Sequence, residues 1–413
     1  AFDDSQLREQ AKEIAVRTYV KSFLAIEARQ ISAWAEQISS RAELPALLRR
    51  LVHSTGESLA KVDFPAFDNS QRSGWDGWVS TDSATPWIPR GESGWEFGCD
   101  QNAQQKAERD YEARTNSVAP SDRESTTFVF VTPQNWPGKN DWVSTKQKTG
   151  AWKGVRVFDA SDLEQWLEQS IPTQAWFAEK LGNGAAGIAT LDACWKEWAD
   201  ASNPSLSKLL FRTSVEATRD RLETWLSQPP VSPFTITADS EIEALAFVAC
   251  ALELMGKSPG DFYDRALVLK TAEALRRTTA ATPDFVAIVS SPEMELASAG
   301  VQKKHHLMII SRRNIAFGEP DITLDLVDDR TFREALTAMG LPEEDHQRYA
   351  RETGHSPTIL RRRLSQLSAI RRPAWSTDQA LVRTLIPLSF AGVWHSDSAA
   401  DREIMSLLAK TTY

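Results

Sequence analysis

Ser73-Gly74-Trp75-Asp76-Gly77-Trp78 and, twenty positions on, Gly94-Trp95-Glu96-Phe97-Gly98 are the two stretches whose reading decides this fold. Each sets one acidic residue inside a short aromatic, strand-like run with glycine beside it. A lone carboxylate in such a run is costly to bury unless it is paired or coordinates a metal. Two carboxylates on neighbouring strands can share a divalent cation through their oxygens. Ten residues after Glu96 a helix-like run, Gln105 to Tyr111, brings Lys106. Acid, acid and lysine are the components of metal-dependent phosphodiester chemistry.

Outward from these strands the pattern is α/β. Leu44, Leu47, Leu48, Leu51 and Val52 recur at helical spacing, so residues 1 to about 60 read as helical, with Pro65 ending the region. Thr127–Thr132 and Gly154–Phe158 read as further strands, and Asp159 or Ser161 as the cap of a helix over 162–167. Gly182, Gly184 and Gly187 mark the end of this domain, giving a first domain of 1–185 and a linker of 186–204. A second α/β pattern covers 205–330, with apolar strand runs at 233–238, 265–269, 284–289, 307–311 and 321–326. Near-continuous apolar runs separated by helix-capable stretches predict a buried parallel sheet with crossover helices. The remainder, 331–413, reads as helical and lid-like or winged-helix-like, with starts at Leu341-Pro342 and Ser356-Pro357.

At 413 residues the chain exceeds one ordinary core, and two or three domains are expected. Its 41% hydrophobic and 25% charged content is that of a globular protein, and no apolar run is long enough to span a membrane. Cys99, Cys194 and Cys250 lie far apart without metal-ligand spacing and read as reduced thiols of a cytoplasmic protein. The net charge of −9 excludes a chain that coats nucleic acid over its whole surface but leaves room for a local basic cleft. Ala1 at the start and Thr412-Tyr413 at the end suggest a piece of a longer protein.

The ordered series Ser73–Gly77, Ile88–Gly98 and Lys106–Thr115 resembles the restriction-endonuclease-like PD-(D/E)xK domains at the N-terminus of antiviral STAND (Avs-type) defence proteins. The resemblance covers roughly residues 40–170. It implies a mixed-sheet nuclease fold, a P-loop-NTPase-like parallel α/β domain after it, and a metal-dependent DNA endonuclease. It assigns Asp76 and Glu96 as catalytic ligands of Mg²⁺ or Mn²⁺, aided by the Phe97 carbonyl, with double-stranded DNA as substrate. The usual signature has lysine two residues after the second acid, where this chain has Gly98; the lysine role then passes to Lys106. Glu57 is a further candidate ligand, Arg114 a candidate phosphate contact, and Tyr111 a candidate neighbour of the site. The same residues also fit plainer roles. Asp76 suits a turn beside Gly77, Glu96 a pair with Arg90 or Arg114, Lys106 an exposed helix position, and Asp110 with Arg114 a surface ion pair.

The second domain carries an argument from absence. A P-loop needs a glycine-rich turn and a lysine after its first strand. Here that place reads Thr237-Ala238-Asp239-Ser240-Glu241-Ile242-Glu243, with three acids and neither glycine nor lysine. The strand 285–289, where acidic Walker B residues belong, runs into Ser290-Ser291. The segment resembles the NTPase-like modules that follow such nucleases, in degenerate form. That implies no nucleotide, no ATP hydrolysis, and a role in assembly as a homo-oligomer or with further domains, which gates the nuclease. An unrelated α/β domain, and a catalytically inactive sensor or scaffold, are the alternatives. Arg361–Arg363 and Arg371-Arg372 form a basic stretch that fits either a solvated face or a contact to nucleic acid or an acidic surface. His305 and His306, adjacent in a strand run, point to opposite faces and do not make a joint metal site.

Overall fold

The computed structural model describes residues 24–65, 74–255, 261–278, 284–290, 304–313, 319–372 and 374–379, with single positions at 294, 382 and 403. The helix expected over 1–23 and most of the C-terminal region after 379 lie outside the described residues. The protein is mixed α/β and divides into two compact units. One comprises Ala1–Leu191, Glu223–Phe234 and Leu252–Ile309; the other comprises Asp192–Leu222, Thr235–Ala251 and Ile310–Tyr413.

The first unit begins with helices α1 (Ala28–Ala35) and α2 (Ser40–Thr55), then strands β1 (Leu59–Asp63), β2 (Gly77–Thr81) and β3 (Gly91–Phe97). There follow α3 (Ala103–Ser117), β4 (Thr126–Val131), α4 (Lys139–Lys148), β5 (Gly154–Phe158), α5 (Ala160–Leu167) and α6 (Ile171–Lys180). The five strands form one sheet in chain order. The β1–β2 and β2–β3 pairs are antiparallel, and β3–β4 and β4–β5 are parallel. Parallel neighbours need a crossover, and α3 and α4 supply the two. Sequence reading missed β1 because Leu59–Asp63 buries only Val62 and has no alternating apolar face.

Both faces of the sheet are covered, which explains the unbroken apolar run of β4. Val129 and Val131 join Trp95, Phe158 and Trp166 in a core with α1, α2, α5 and α6. Phe128 and Phe130 join Tyr111, Trp142 and Trp152 in a core with α3 and α4. Many of the tryptophans are structural: Trp87 stacks on Trp166 with ring centroids 5.6 Å apart, and buried Trp95 donates to Ser93 Oγ at 3.0 Å. Burying each such ring is worth roughly 1.5–3 kcal/mol or more. Asp159 caps α5, accepting from Ser161 N at 3.1 Å and Asp162 N at 3.3 Å.

The expected linker at 186–204 carries structure of its own, a strand at Ile188–Ala189 and a helix at Leu191–Ala199. Ile188–Ala189 pairs antiparallel with Ala266–Leu269, which pairs parallel with Val286–Ser290, all within the first unit. Also in this unit, a buried carboxylate, Asp264, meets α2. Arg49 Nε donates to Asp264 Oδ2 at 2.8 Å, His53 Nδ1 lies 2.7 Å from the same oxygen, and Arg50 Nη1 is 3.5 Å from Oδ1.

In the second unit Ile322–Thr323 pairs parallel with Ile236 and Thr237. Helices follow at Asp329–Ala338, Glu343–Thr353 and Pro357–Leu364. Proline lies at the first position of the last one, and Ser356 caps it. Cys99, Cys194 and Cys250 are buried. Among the described residues no helix is long and apolar enough to cross a membrane.

Candidate functional site

The β2–β3 register assembles the site. Gly77 pairs with Trp95 and Trp78 with Gly94, so continuing the antiparallel ladder by one residue sets Asp76 opposite Glu96. Directly opposed residues bring their Cβ atoms within about 4.5–5.5 Å. Asp76 is fixed from the other strand, because the Phe97 N–H donates to its Oδ2 at 3.2 Å. Glu96 is 3% exposed and lies on the sheet face that α3 covers. Two residues back, a Cβ on Gly94 would come within 2.6 Å of the Trp75 indole, so only glycine lets that ring lie across the strand.

Helix α3 supplies the cations. Its start is capped by Asn102, which accepts from Gln105 N at 3.0 Å. Arg114, on its last turn, donates through Nε to Glu96 and through a terminal nitrogen to the Gly74 carbonyl, with its guanidinium 5.4 Å from the Trp75 ring centroid. Lys106 pairs through Nζ with Asp110 one turn along the helix. The Lys106 stem passes over Gly98, where a Cβ would stand 2.9 Å from Lys106 Cε and 3.4 Å from Cγ. Gly98 follows Glu96 by two residues. The space a lysine side chain at the usual signature position would enter is therefore occupied by the lysine of the following helix. A cavity of about 320 Å³ opens here, lined by Asp76, Phe97, Gly98, Asp100 and Lys106 among others.

Burial, and then the charge of Asp76, push Glu96 from its ordinary 4.5 up to about 8, against the opposing Arg114 guanidinium. Burial also raises Asp110, with Asp76 adding to the rise and Lys106 opposing it. Asp76, Glu96 and Asp110 thus sense one another electrostatically, with Arg114 and Lys106 as the opposing cations.

Asp76, Glu96, Lys106 and Arg114 all come together, but several pairings differ from the sequence reading. Glu96 pairs with Arg114, one of the two partners its plainer reading offered. Asp110 pairs with Lys106 rather than Arg114, because Arg114 reaches across to β3. Lys106 is a half-buried residue of the cavity, not an exposed helix lysine. Glu57 lies away from the site: α2 ends at Thr55, and the Glu57 carbonyl takes the hydroxyl of Thr81, at the far end of β2 from Asp76. Tyr111 is buried against Phe128 and Trp142, its hydroxyl 3.2 Å from Thr149 Oγ1. Asp110 was missed as a member of the cluster; its only signal was its four-residue spacing from Lys106. Among the described residues no group of three or more His, Cys, Asp or Glu is arranged to hold a metal ion. Asp76 and Asp100 are the carboxylates that line the cavity, and Glu96 lies buried behind it on Arg114.

In the second unit the turn at the start of the helix Glu241–Glu253 is closed by the chain's own residues. Arg313 Nε lies 3.1 Å from Asp239 Oδ1, and Ser356 donates to Asp239 Oδ2 at 3.1 Å. Ser240 Oγ is 2.8 Å from Thr358 Oγ1, and Thr358 donates to buried Glu243. Burial, then Asp239, raise Glu243 to about 7, with the Thr358 hydroxyl opposing. Elsewhere, His305 Nδ1 takes the Phe285 N–H at 3.3 Å, while His306 Nε2 lies 2.9 Å from the Gln228 carbonyl; the two histidines have separate partners.

The chain matches no protein-family model, and no curated protein is significantly similar to it.

Proposed function

We propose that the first unit is a metal-dependent endodeoxyribonuclease of PD-(D/E)xK type, an effector of antiviral defence that acts on double-stranded DNA in the cytoplasm. The observation that carries this reading is the nearness of Asp76 to Glu96, where Asp76 accepts from the Phe97 N–H and its charge acts on Glu96, with the Lys106 stem over Gly98 beside them. Asp76 and Glu96 are the residues that would hold Mg²⁺ or Mn²⁺. Such an ion, when bound, supplies Lewis acidity toward a phosphodiester and a water of lowered pKa. The Phe97 N–H orients Asp76. The Lys106 ammonium stabilises negative charge developing on the phosphate. Arg114, already in the cluster, is the second positive charge a phosphate would meet. The acidic turn of the second unit suits a module that assembles without nucleotide, and assembly into a homo-oligomer or with further domains is the gate.

One observation favours a second reading, an inactive sensor or scaffold. Arg114 on Glu96 and Lys106 on Asp110 neutralise the carboxylates, as in a structural polar network. A plasmid-degradation assay with Mg²⁺ or Mn²⁺ decides between them. Cleavage by the wild type that is lost in Asp76→Ala supports the nuclease; wild-type inactivity across protein concentrations supports the scaffold.

A further inference from the structure

We propose that the arginine-lined groove at the end of the helix Pro357–Leu364 binds the phosphodiester backbone of nucleic acid. The choice of nucleic acid over an acidic peptide rests on the nuclease reading above; the groove itself rests on geometry.

Residues 361–372 hold five arginines and no carboxylate, in a chain whose net charge is −9. The five are not equivalent. Arg361 is half-buried and donates from Nε to the Trp198 carbonyl at 3.0 Å and from a terminal nitrogen to the Glu197 carbonyl at 3.2 Å, with its guanidinium 5.2 Å from the Trp198 ring. It is a packing residue. The other four, Arg362, Arg363, Arg371 and Arg372, line one concave surface of about 650 Å³ together with Gln366 and Ser368. Arg363 is matched by Glu352 at 2.7 Å. Among the described residues Arg362, Arg371 and Arg372 have no carboxylate within ion-pair distance, so three guanidinium groups line one groove with no carboxylate paired to them there.

Like charges brought together repel, and this arrangement is favourable once an anion joins it. A guanidinium presents a planar fork that matches phosphate bidentately, and the polar partners beside it, an amide and a hydroxyl, can both donate to phosphate oxygens. The groove is open and larger than one phosphate requires, which suits successive phosphates of a strand. Contacts of this kind hold a backbone without reading its sequence.

The test uses the full chain and a fluorescent DNA duplex in EDTA, so that binding is read without cleavage. Anisotropy is followed over a series of salt concentrations for the wild type and the triple variants of Arg362, Arg371 and Arg372 to Gln and to Glu. The Gln variant should bind more weakly, with a log–log salt slope shallower by about 0.9 for each phosphate contact removed, and the Glu variant more weakly still. A Gln variant with intact circular dichroism and unchanged affinity and slope overturns the proposal. So does polyglutamate competing as well as DNA at equal charge concentration. A wild type that binds through these arginines yet never cleaves plasmid with Mg²⁺ or Mn²⁺ supports the groove and overturns the nuclease reading alone.

Discussion

Lys106 lies over Gly98: a Cβ at Gly98 would be 2.9 Å from Lys106 Cε, although the two residues sit on different elements, a helix and the end of a strand. On the proposed PD-(D/E)xK reading the signature lysine would stand at Gly98, and the space above that glycine is filled by the Lys106 stem from α3, with its ammonium on Asp110.

This geometry predicts a rescue. Lys106→Ala should lower the cleavage rate by roughly 10²-fold if the ammonium stabilises developing charge. Adding Gly98→Lys to that variant should restore much of the rate, because Lys106→Ala vacates the space the new side chain needs. Plasmid cleavage by the single and double variants measures both effects, and an unchanged rate in Lys106→Ala would return that residue to a structural role.

Asp76→Ala and Glu96→Gln should each abolish cleavage with the fold retained, since Asp76 makes one bond to the Phe97 N–H and Gln is isosteric with Glu. A readout independent of turnover is thermal stability. The stability contributed by protonated Glu96 is complete below its ordinary pKa of 4.5 and is lost as pH rises to about 8. Glu96→Gln should remove that decline. Mn²⁺ should raise the melting temperature of the wild type at neutral pH by competing for the carboxylates, and should leave Glu96→Gln unmoved. An equal shift in both proteins would place the ion elsewhere.

Asp264 should matter for stability rather than for catalysis. Burial acts to raise its pKa, but Arg50, Arg49 and His53 outweigh burial and hold the carboxyl well below the usual range. Its contribution is complete above the unfolded carboxylate pKa of about 3.9 and is lost as pH falls toward the folded value. Asp264→Ala leaves the buried Arg50 guanidinium without the Asp264 charge and should cost about 3–5 kcal/mol at neutral pH. The gap between variant and wild type in denaturant melts should narrow as the solution is acidified; a gap constant with pH would assign the loss to packing.

Mg-ATP should give no binding heat at micromolar concentrations. Asp239, Glu241 and Glu243 surround the helix start where phosphate would lie, and Ser356 and Thr358 already bond to two of them. Micromolar affinity in a calorimetric titration would contradict this account of the turn.

Much of the first unit was legible in the sequence because its signals are local. The β4 run Thr127–Val131 is apolar on both faces, Asp159 precedes a helical period, and the two aromatic runs each bury a carboxylate or hold one at a strand end. Chain order alone then fixed which residues lie near which strand. Pairing partners are another matter. Whether Arg114 bonds to Asp110 one turn away or to Glu96 on β3 depends on how α3 lies over the sheet, and only packing against Phe128 and Trp75 decides that. The opposition of Asp76 and Glu96 comes from the register of β2 on β3, which no spacing reveals. Asp264 meets His53 across 211 positions, and Thr358 meets Glu243 across 115. Sequence sets which groups must be satisfied, because a buried charge needs a partner; tertiary structure alone chooses the partner, because that choice is made by chain segments far apart that pack together.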